Sequence, residues 1–269
     1  MNRTYLGIMI GPALALLLVG CGQEKSLRSI CDEKPELCEH LNKDSWCRYE
    51  RSDLIRARYN KVTSPTDLHK YELMKDYESY IHCLELAIHV QPKKSKDKRS
   101  DRIGSLMYSN QELKKLDTET ASSKNPYLLM WHWTRDNNSD AKAAFLALEG
   151  KKQLEATELQ LALASYYAED FPKKALRITY HALELLKKNE PIPARGIQGL
   201  VSLNIKLKNY KEALVWANVT KILELEKSNI SPDRLYRYQS FSEKDLSEIK
   251  EQAQVYADQL EDRKFKSPK

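Results

Sequence analysis

Cys47 and Cys83 stand 17 and 19 residues either side of Ser64, and no other feature of the chain restricts its fold as much. Ser64-Pro65-Thr66-Asp67 reads as a helix start, with the serine as N-cap, the proline at the first helical position and the aspartate able to reach back. It divides two runs of helical period, about Trp46 to Val62 and Pro65 to Val90. In a tight antiparallel hairpin, residues about equally far from the turn share a level, so these two cysteines can meet within about one helical turn. Cys31 and Cys38 then remain as a local pair. By the chain-entropy relation the wide loop stabilises by ~4 kcal/mol and the small one by ~2.5 kcal/mol. A zinc site from Cys31, Cys38, His40 and Cys47 is the rival arrangement, but it lacks the C-x₂-C knuckle.

The disulfide reading depends on the compartment, and the start of the chain addresses that. Arg3 carries one positive charge, and Leu6 to Val19 run apolar for fourteen residues with only glycine and proline interrupting. Such a stretch is too short to span a bilayer and has the form of a secretory h-region. It ends in Leu18-Val19-Gly20-Cys21, which resembles the bacterial lipobox. The resemblance implies a signal peptide over 1–20, a lipidated Cys21, and a tether over 21–30. Three acyl chains would hold such a protein essentially permanently, since each buried methylene contributes about 0.8 kcal/mol. Gly22 and Gln23 stand where an aspartate would mark inner-membrane retention, so an outer-membrane anchor facing the periplasm is expected. Four cysteines then remain in an oxidising compartment, which reads as two disulfides.

With 8 glycines in 269 residues and long charged segments at helical period, an all-α protein of antiparallel helical hairpins is expected. The stapled hairpin occupies 31–92. A basic linker follows over 93–104, dense in Lys93, Lys94, Lys96, Lys98 and Arg99. The formal net charge is +6, and the run contains no aromatic on which a base could stack, so nucleic acid is not an expected partner. Within 105–150, helices are predicted at about Ser105 to Thr120, Tyr127 to Arg135 and Asp140 to Glu149. Tyr127, Leu128, Met130, Trp131 and Trp133 are read as core.

From 151 to 269 the pattern repeats. Ala175-Leu176 followed by Ala182-Leu183 recurs as Ala213-Leu214 followed by Ala217, offset by 38 residues. This resembles two degenerate tetratricopeptide repeats, whose usual period is about 34 residues. Ser242 with Asp245 three residues on marks the start of a last helix, whose Ile249, Ala253, Tyr256 and Leu260 would cap the stack.

Taken together, Pro35-Glu36-Leu37-Cys38, Trp46-Cys47-Arg48, Cys83-Leu84-Glu85-Leu86-Ala87, Phe145-x-x-Leu148-Glu149-Gly150 and Glu158-x-Gln160-x-Ala162-Leu163-Ala164 are similar to an uncharacterised family of gammaproteobacterial lipoproteins, domain of unknown function 2989. The resemblance spans nearly the whole mature chain. It implies the architecture and the cysteine frame and carries no activity with it.

The chain carries few motifs of known chemistry. No two of the six histidines stand at i, i+4, and His82 and His89 lie ~10 Å apart along a helix, too far for one ion. There is no H-E-x-x-H, G-x-S-x-G, P-loop or dinucleotide fingerprint, and Gly196-x-x-Gly199 is too sparse to cradle phosphate. Glu155 and Glu158 could pair as acid and base, but first-turn carboxylates facing a helix dipole explain them more simply. No catalytic residue, metal or cofactor is expected. The leading expectation is a lipid-anchored, non-catalytic adaptor that binds a protein or peptide. A structural role contacting peptidoglycan or lipopolysaccharide is the alternative, and a cell-wall glycosidase a more distant one. In tetratricopeptide register, the groove would fall on Thr157, Gln160, Ala164 and Tyr167, then on Arg195, Gln198, Ser202 and Ile205. Gln160, Tyr167, Arg195 and Gln198 are the expected partner-binding residues.

Overall fold

The computed structural model describes residues 25–90, 97–225 and 235–268. The signal-peptide stretch, Cys21 and Lys93, Lys94 and Lys96 lie outside them. Helix α1 (Leu27–Glu33) is capped by the Ser26 hydroxyl, which accepts from the Ser29 N–H. A 3₁₀ turn, Pro35–Leu37, follows, and the Cys31–Cys38 disulfide ties it back to α1. Helices α2 (Arg48–Thr63) and α3 (Asp67–Ala87) form the expected hairpin. The Cys47–Cys83 disulfide closes it with the Cα atoms 5.7 Å apart. Both pairings follow the sequence reading, and with the four sulfurs bonded in two pairs the zinc alternative is displaced.

The hairpin turn differs in one respect. Thr66, not Ser64, is the N-cap of α3, its hydroxyl accepting from the His69 N–H, while the Ser64 N–H bonds the Asn60 carbonyl and ends α2. A residue preceding proline is pushed out of the α region, so Ser64 closes one helix and the next begins after Pro65. Arg58, buried on α2, donates to the Leu37 carbonyl (2.9 Å) and the Tyr77 hydroxyl (3.0 Å), fastening the N-terminal turn onto the hairpin.

Helix α4 spans Asp97–Thr120, so the part of the expected linker from 97 to 104 is helical. The reason is Arg102. Charged and set in a basic run, it nevertheless lies buried, donating to Asp44 Oδ2 and to the Ala87 and Val90 carbonyls. That docks the start of α4 on the end of α3.

Asn125 caps α5 (Pro126–Asp136), with proline at its first position. Left-handed Asn137 ends α5, and Asn138 caps α6 (Ser139–Leu146). Leu128, Met130 and Trp131 are buried as expected, with Tyr127 and Trp133 packed partly buried at the core's edge. Among the described residues the chain is all-α, with eleven α-helices packed as adjacent pairs.

Two pairs follow: α7 (Thr157–Tyr167) with α8 (Pro172–Glu184), and α9 (Ala194–Lys206) with α10 (Tyr210–Ile222). Ala175, Ala182, Ala213 and Ala217 are buried between helices, where their small side chains allow close packing. A Cβ on Gly196 would lie 2.8 Å from Leu161 Cδ2, so this glycine serves the approach of α9 to α7. Helix α11 (Glu243–Glu261) begins at Ser242 with a complete Ser242/Asp245 capping box, and buries Ile249, Ala253, Tyr256 and Leu260. A core around Leu54, Met74, Tyr80 and Phe145 unites α1 to α7. A second, around Trp216, Leu200 and Tyr256, unites α8 to α11. No helix among the described residues is long and apolar enough to cross a membrane.

Candidate functional site

Helices α3, α5 and α7, with the start of α9, enclose a cleft of about 1050 Å³. The hairpin brings Tyr71, Lys75, Glu78 and His82 to one wall, at the three- and four-residue spacing that keeps side chains on one helix face. Trp131 and Trp133 come from α5, Tyr166 from α7, and Arg195 from the first turn of α9. The Trp133 and Tyr166 rings meet edge to face, 5.7 Å between centroids, and Lys142 lies 4.7 Å over Tyr166.

Most charges around the cleft are matched. Lys75 pairs with Glu158 at 2.9 Å, and Glu158 also accepts from the Tyr71 hydroxyl at 2.7 Å. Burial, and then the Glu158 charge, raise the Tyr71 phenol far above its ordinary range, so it stays a neutral donor. Arg135 holds Glu78 through two hydrogen bonds, 2.5 and 2.9 Å, which raise the guanidinium's proton affinity further. Arg195 is exposed and makes no ion pair or hydrogen bond among the described residues. A smaller cavity of about 540 Å³ between α10 and α11 is lined by Lys211, already paired with Asp245 and Glu248.

Of the four residues expected to bind a partner, the structure places Arg195 in the cleft. Gln160 is buried, its amide donating to the Leu154 carbonyl at 3.0 Å. Tyr167, half-buried, donates to Glu149 Oε2 at 2.6 Å beneath the Lys174 ammonium. Gln198 is half-buried on α9, outside the cleft lining. Thr157 and Ala164 are buried too, Ile205 packs on the second core, and Ser202 is exposed. The face of α7 that opens to the cleft is instead Glu158, Ala162, Ser165 and Tyr166. On the other face Gln160 is bonded to the end of the 3₁₀ turn Lys152–Leu154, so the open surface differs from the one expected in tetratricopeptide register. Glu155 precedes α7 and pairs with His181 at 2.7 Å, while Glu158 belongs to the Lys75 pair. The two carboxylates thus have separate partners.

One cluster has little signature in the sequence. Asp117 of α4 and Asp136 of α5 flank the imidazole of buried His132, with ligating atoms within 4.8 Å of one another. Its only local signal is the i, i+4 spacing of His132 and Asp136; Asp117 joins through the turn between helices.

The cleft walls and both disulfides lie inside a segment that is matched as a unit. A family model described as protein of unknown function (DUF2989) covers residues 18–218. The chain belongs to that family. No curated protein and no solved structure matches the chain. The match takes in α1 to α9 and most of α10, so Tyr71, Trp133, Tyr166 and Arg195 all fall within it, while α11 falls outside. As a member of this family the protein is a helical, disulfide-bonded chain, and its two disulfides point to an oxidising, extracytoplasmic compartment.

Proposed function

We propose that this chain is a lipid-anchored, non-catalytic adaptor of the bacterial envelope that holds an extended segment of a partner protein in the cleft between α3, α5 and α7. The observation that carries the reading is Arg195: an exposed guanidinium without an ionic partner among the described residues, lining the same cleft as the Trp133 and Tyr166 rings, where the Lys75 and Arg135 charges are matched. Aromatic contact area and a forked donor along one cleft suit an extended peptide that offers a carboxylate and an apolar side chain. The lipobox-like Leu18-Val19-Gly20-Cys21 and the oxidised cysteines support an anchor at the outer membrane, facing the periplasm.

The test is a photoreactive residue at Ser165, inside the cleft, against one at exposed Glu251 on α11. In intact cells the first should give a discrete crosslinked protein and the second none. Arg195→Glu combined with Tyr166→Ala should abolish the crosslink while leaving the circular dichroism spectrum unchanged. A crosslink that persists in that double variant would remove the cleft as the binding surface.

A further inference from the structure

We propose that Asp117, His132 and Asp136 form a binding site for one divalent transition-metal ion of the zinc class, independent of what occupies the cleft. His132 Nδ1 lies 2.6 Å from Asp136 Oδ2 and 3.5 Å from Asp117 Oδ1. The opposite ring nitrogen, Nε2, is 3.1 Å from Thr120 Oγ1, and that hydroxyl donates to the Leu116 carbonyl at 2.8 Å. A hydroxyl has one proton, so with it on Leu116 the Thr120 oxygen accepts from Nε2–H. In that tautomer the Nδ1 lone pair points between two carboxylates, whereas in the other Nδ1–H donates to Asp136 Oδ2 and a bound ion takes the place of that proton.

Three acceptors converging on one point need a cation or a proton among them. Among the described residues neither Asp117 nor Asp136 has a lysine or arginine partner, and Asp136 is the last residue of α5, where the helix dipole adds negative potential. The Trp131 indole N–H donates to Asp117 Oδ1 at 3.2 Å, so each inner ligand except Asp136 is steadied by a group behind it.

The donor set selects the ion. One imidazole and two carboxylates, with water in the remaining position, is a zinc-type open site. Calcium takes 6–8 oxygens, which are not supplied here. His132 is 3 % exposed, but the Asp117 and Asp136 side chains are 35 % and 37 % exposed, so an ion and its water reach the site from the carboxylate side. Tetrahedral ligands at about 2.0–2.1 Å from zinc stand roughly 3.3 Å apart. Asp136, at an exposed helix end, therefore has to withdraw by less than about 1 Å. A bound ion would fasten α4 to α5 and fix Trp131, which also lines the cleft.

The purified protein, disulfides intact and freed of metal with a chelator, is titrated calorimetrically with Zn²⁺, Mg²⁺ and Ca²⁺. One equivalent of Zn²⁺ should saturate it and raise its thermal midpoint, with no comparable response to the other two. Asp136→Asn and Asp117→Asn should each weaken Zn²⁺ binding about tenfold or more, and His132→Gln should abolish it. Because His132 is buried and its replacement can disturb folding, Asp136→Asn decides the matter, provided its circular dichroism spectrum matches the parent's. A parent that takes up no stoichiometric Zn²⁺, or Zn²⁺ binding unchanged in both aspartate variants, overturns the proposal.

Discussion

Arg102 Nη2 sits 2.6 Å from Asp44 Oδ2, with the two side chains 2 % and 7 % exposed. The pair joins the start of α4 to a loop 58 residues earlier. The guanidinium also donates to the Ala87 and Val90 carbonyls, so one residue ties three segments. Removing one partner of a buried pair leaves the other charge uncompensated, at a cost of about 3 kcal/mol or more. Arg102→Ala should lower the urea midpoint accordingly. Arg102→Lys should recover little, because an ammonium cannot reproduce the fork. Exposed Arg99→Ala should change stability by less than about 0.5 kcal/mol. Burial pushes the Asp44 carboxyl up, but hydrogen bonds from Arg102 and Asn42 outweigh it and hold the group below its ordinary range. A depressed carboxylate contributes stability above its unfolded pKa of about 3.9 and loses it as pH falls through the folded value. The gap between parent and Arg102→Ala should therefore narrow below about pH 4, measured by denaturation across pH.

The two disulfides should differ in weight. Cys47–Cys83 closes a separation of 36 residues and Cys31–Cys38 one of 7. The chain-entropy relation gives ~4 and ~2.5 kcal/mol respectively. Cys47→Ser with Cys83→Ser should lower the denaturation midpoint more than Cys31→Ser with Cys38→Ser. An equal loss from both pairs would show that strain or residual structure, not loop size, governs them.

These pairings were legible before the structure because they depend on distance from a turn, which the chain states directly. Ser242 and Asp245 were legible for the same reason, since a capping box is complete within four residues. Arg102 was not. A cation in a basic run reads as solvated until Asp44, remote in sequence, is brought beneath it. The open face of α7 was also hidden, for Gln160 and Tyr167 are engaged by the Leu154 carbonyl and the Glu149 carboxylate, partners that the helical period does not reveal. The cleft itself needs α3, α5 and α7 side by side, and no local period records that. Arg195 was reached through the tetratricopeptide register, whereas Trp133 was read as core and now lines the cleft.

Two glycines three positions apart on α9 should respond in opposite ways to alanine. Alanine is favoured over glycine in a helix interior by about 1 kcal/mol. A Cβ at Gly199 meets nothing within 4 Å, whereas at Gly196 it meets Leu161 Cδ2 at 2.8 Å. Gly199→Ala should raise the thermal midpoint. Gly196→Ala should gain less or lose, because Leu161 must first leave its place against α9. Equal gains at both sites in a melting experiment would mean that the approach of α7 and α9 is not constrained by Gly196.

Asp76 sets a pH dependence opposite in sign to that of Asp44. Burial, and then the like charge of Asp53 across the hairpin, push its carboxyl up to about 6, with Glu72 adding to the effect and Lys75 opposing it. A carboxyl raised on folding is protonated more readily in the native state than in the unfolded one. Its penalty is absent below the unfolded pKa of about 3.9, grows as pH rises towards 6, and is constant above that. The group remains partly exposed, and solvent screening reduces the full linkage value, so a contribution of about 1 kcal/mol at neutral pH is the appropriate scale. Asp76→Asn removes the charge while keeping the shape. It should therefore stabilise the protein by about that amount at pH 7 and leave stability almost unchanged at pH 4, read from urea midpoints at the two values. Equal effects at both pH values would show that the substitution acts through packing and that Asp76 does not carry the proposed charge penalty.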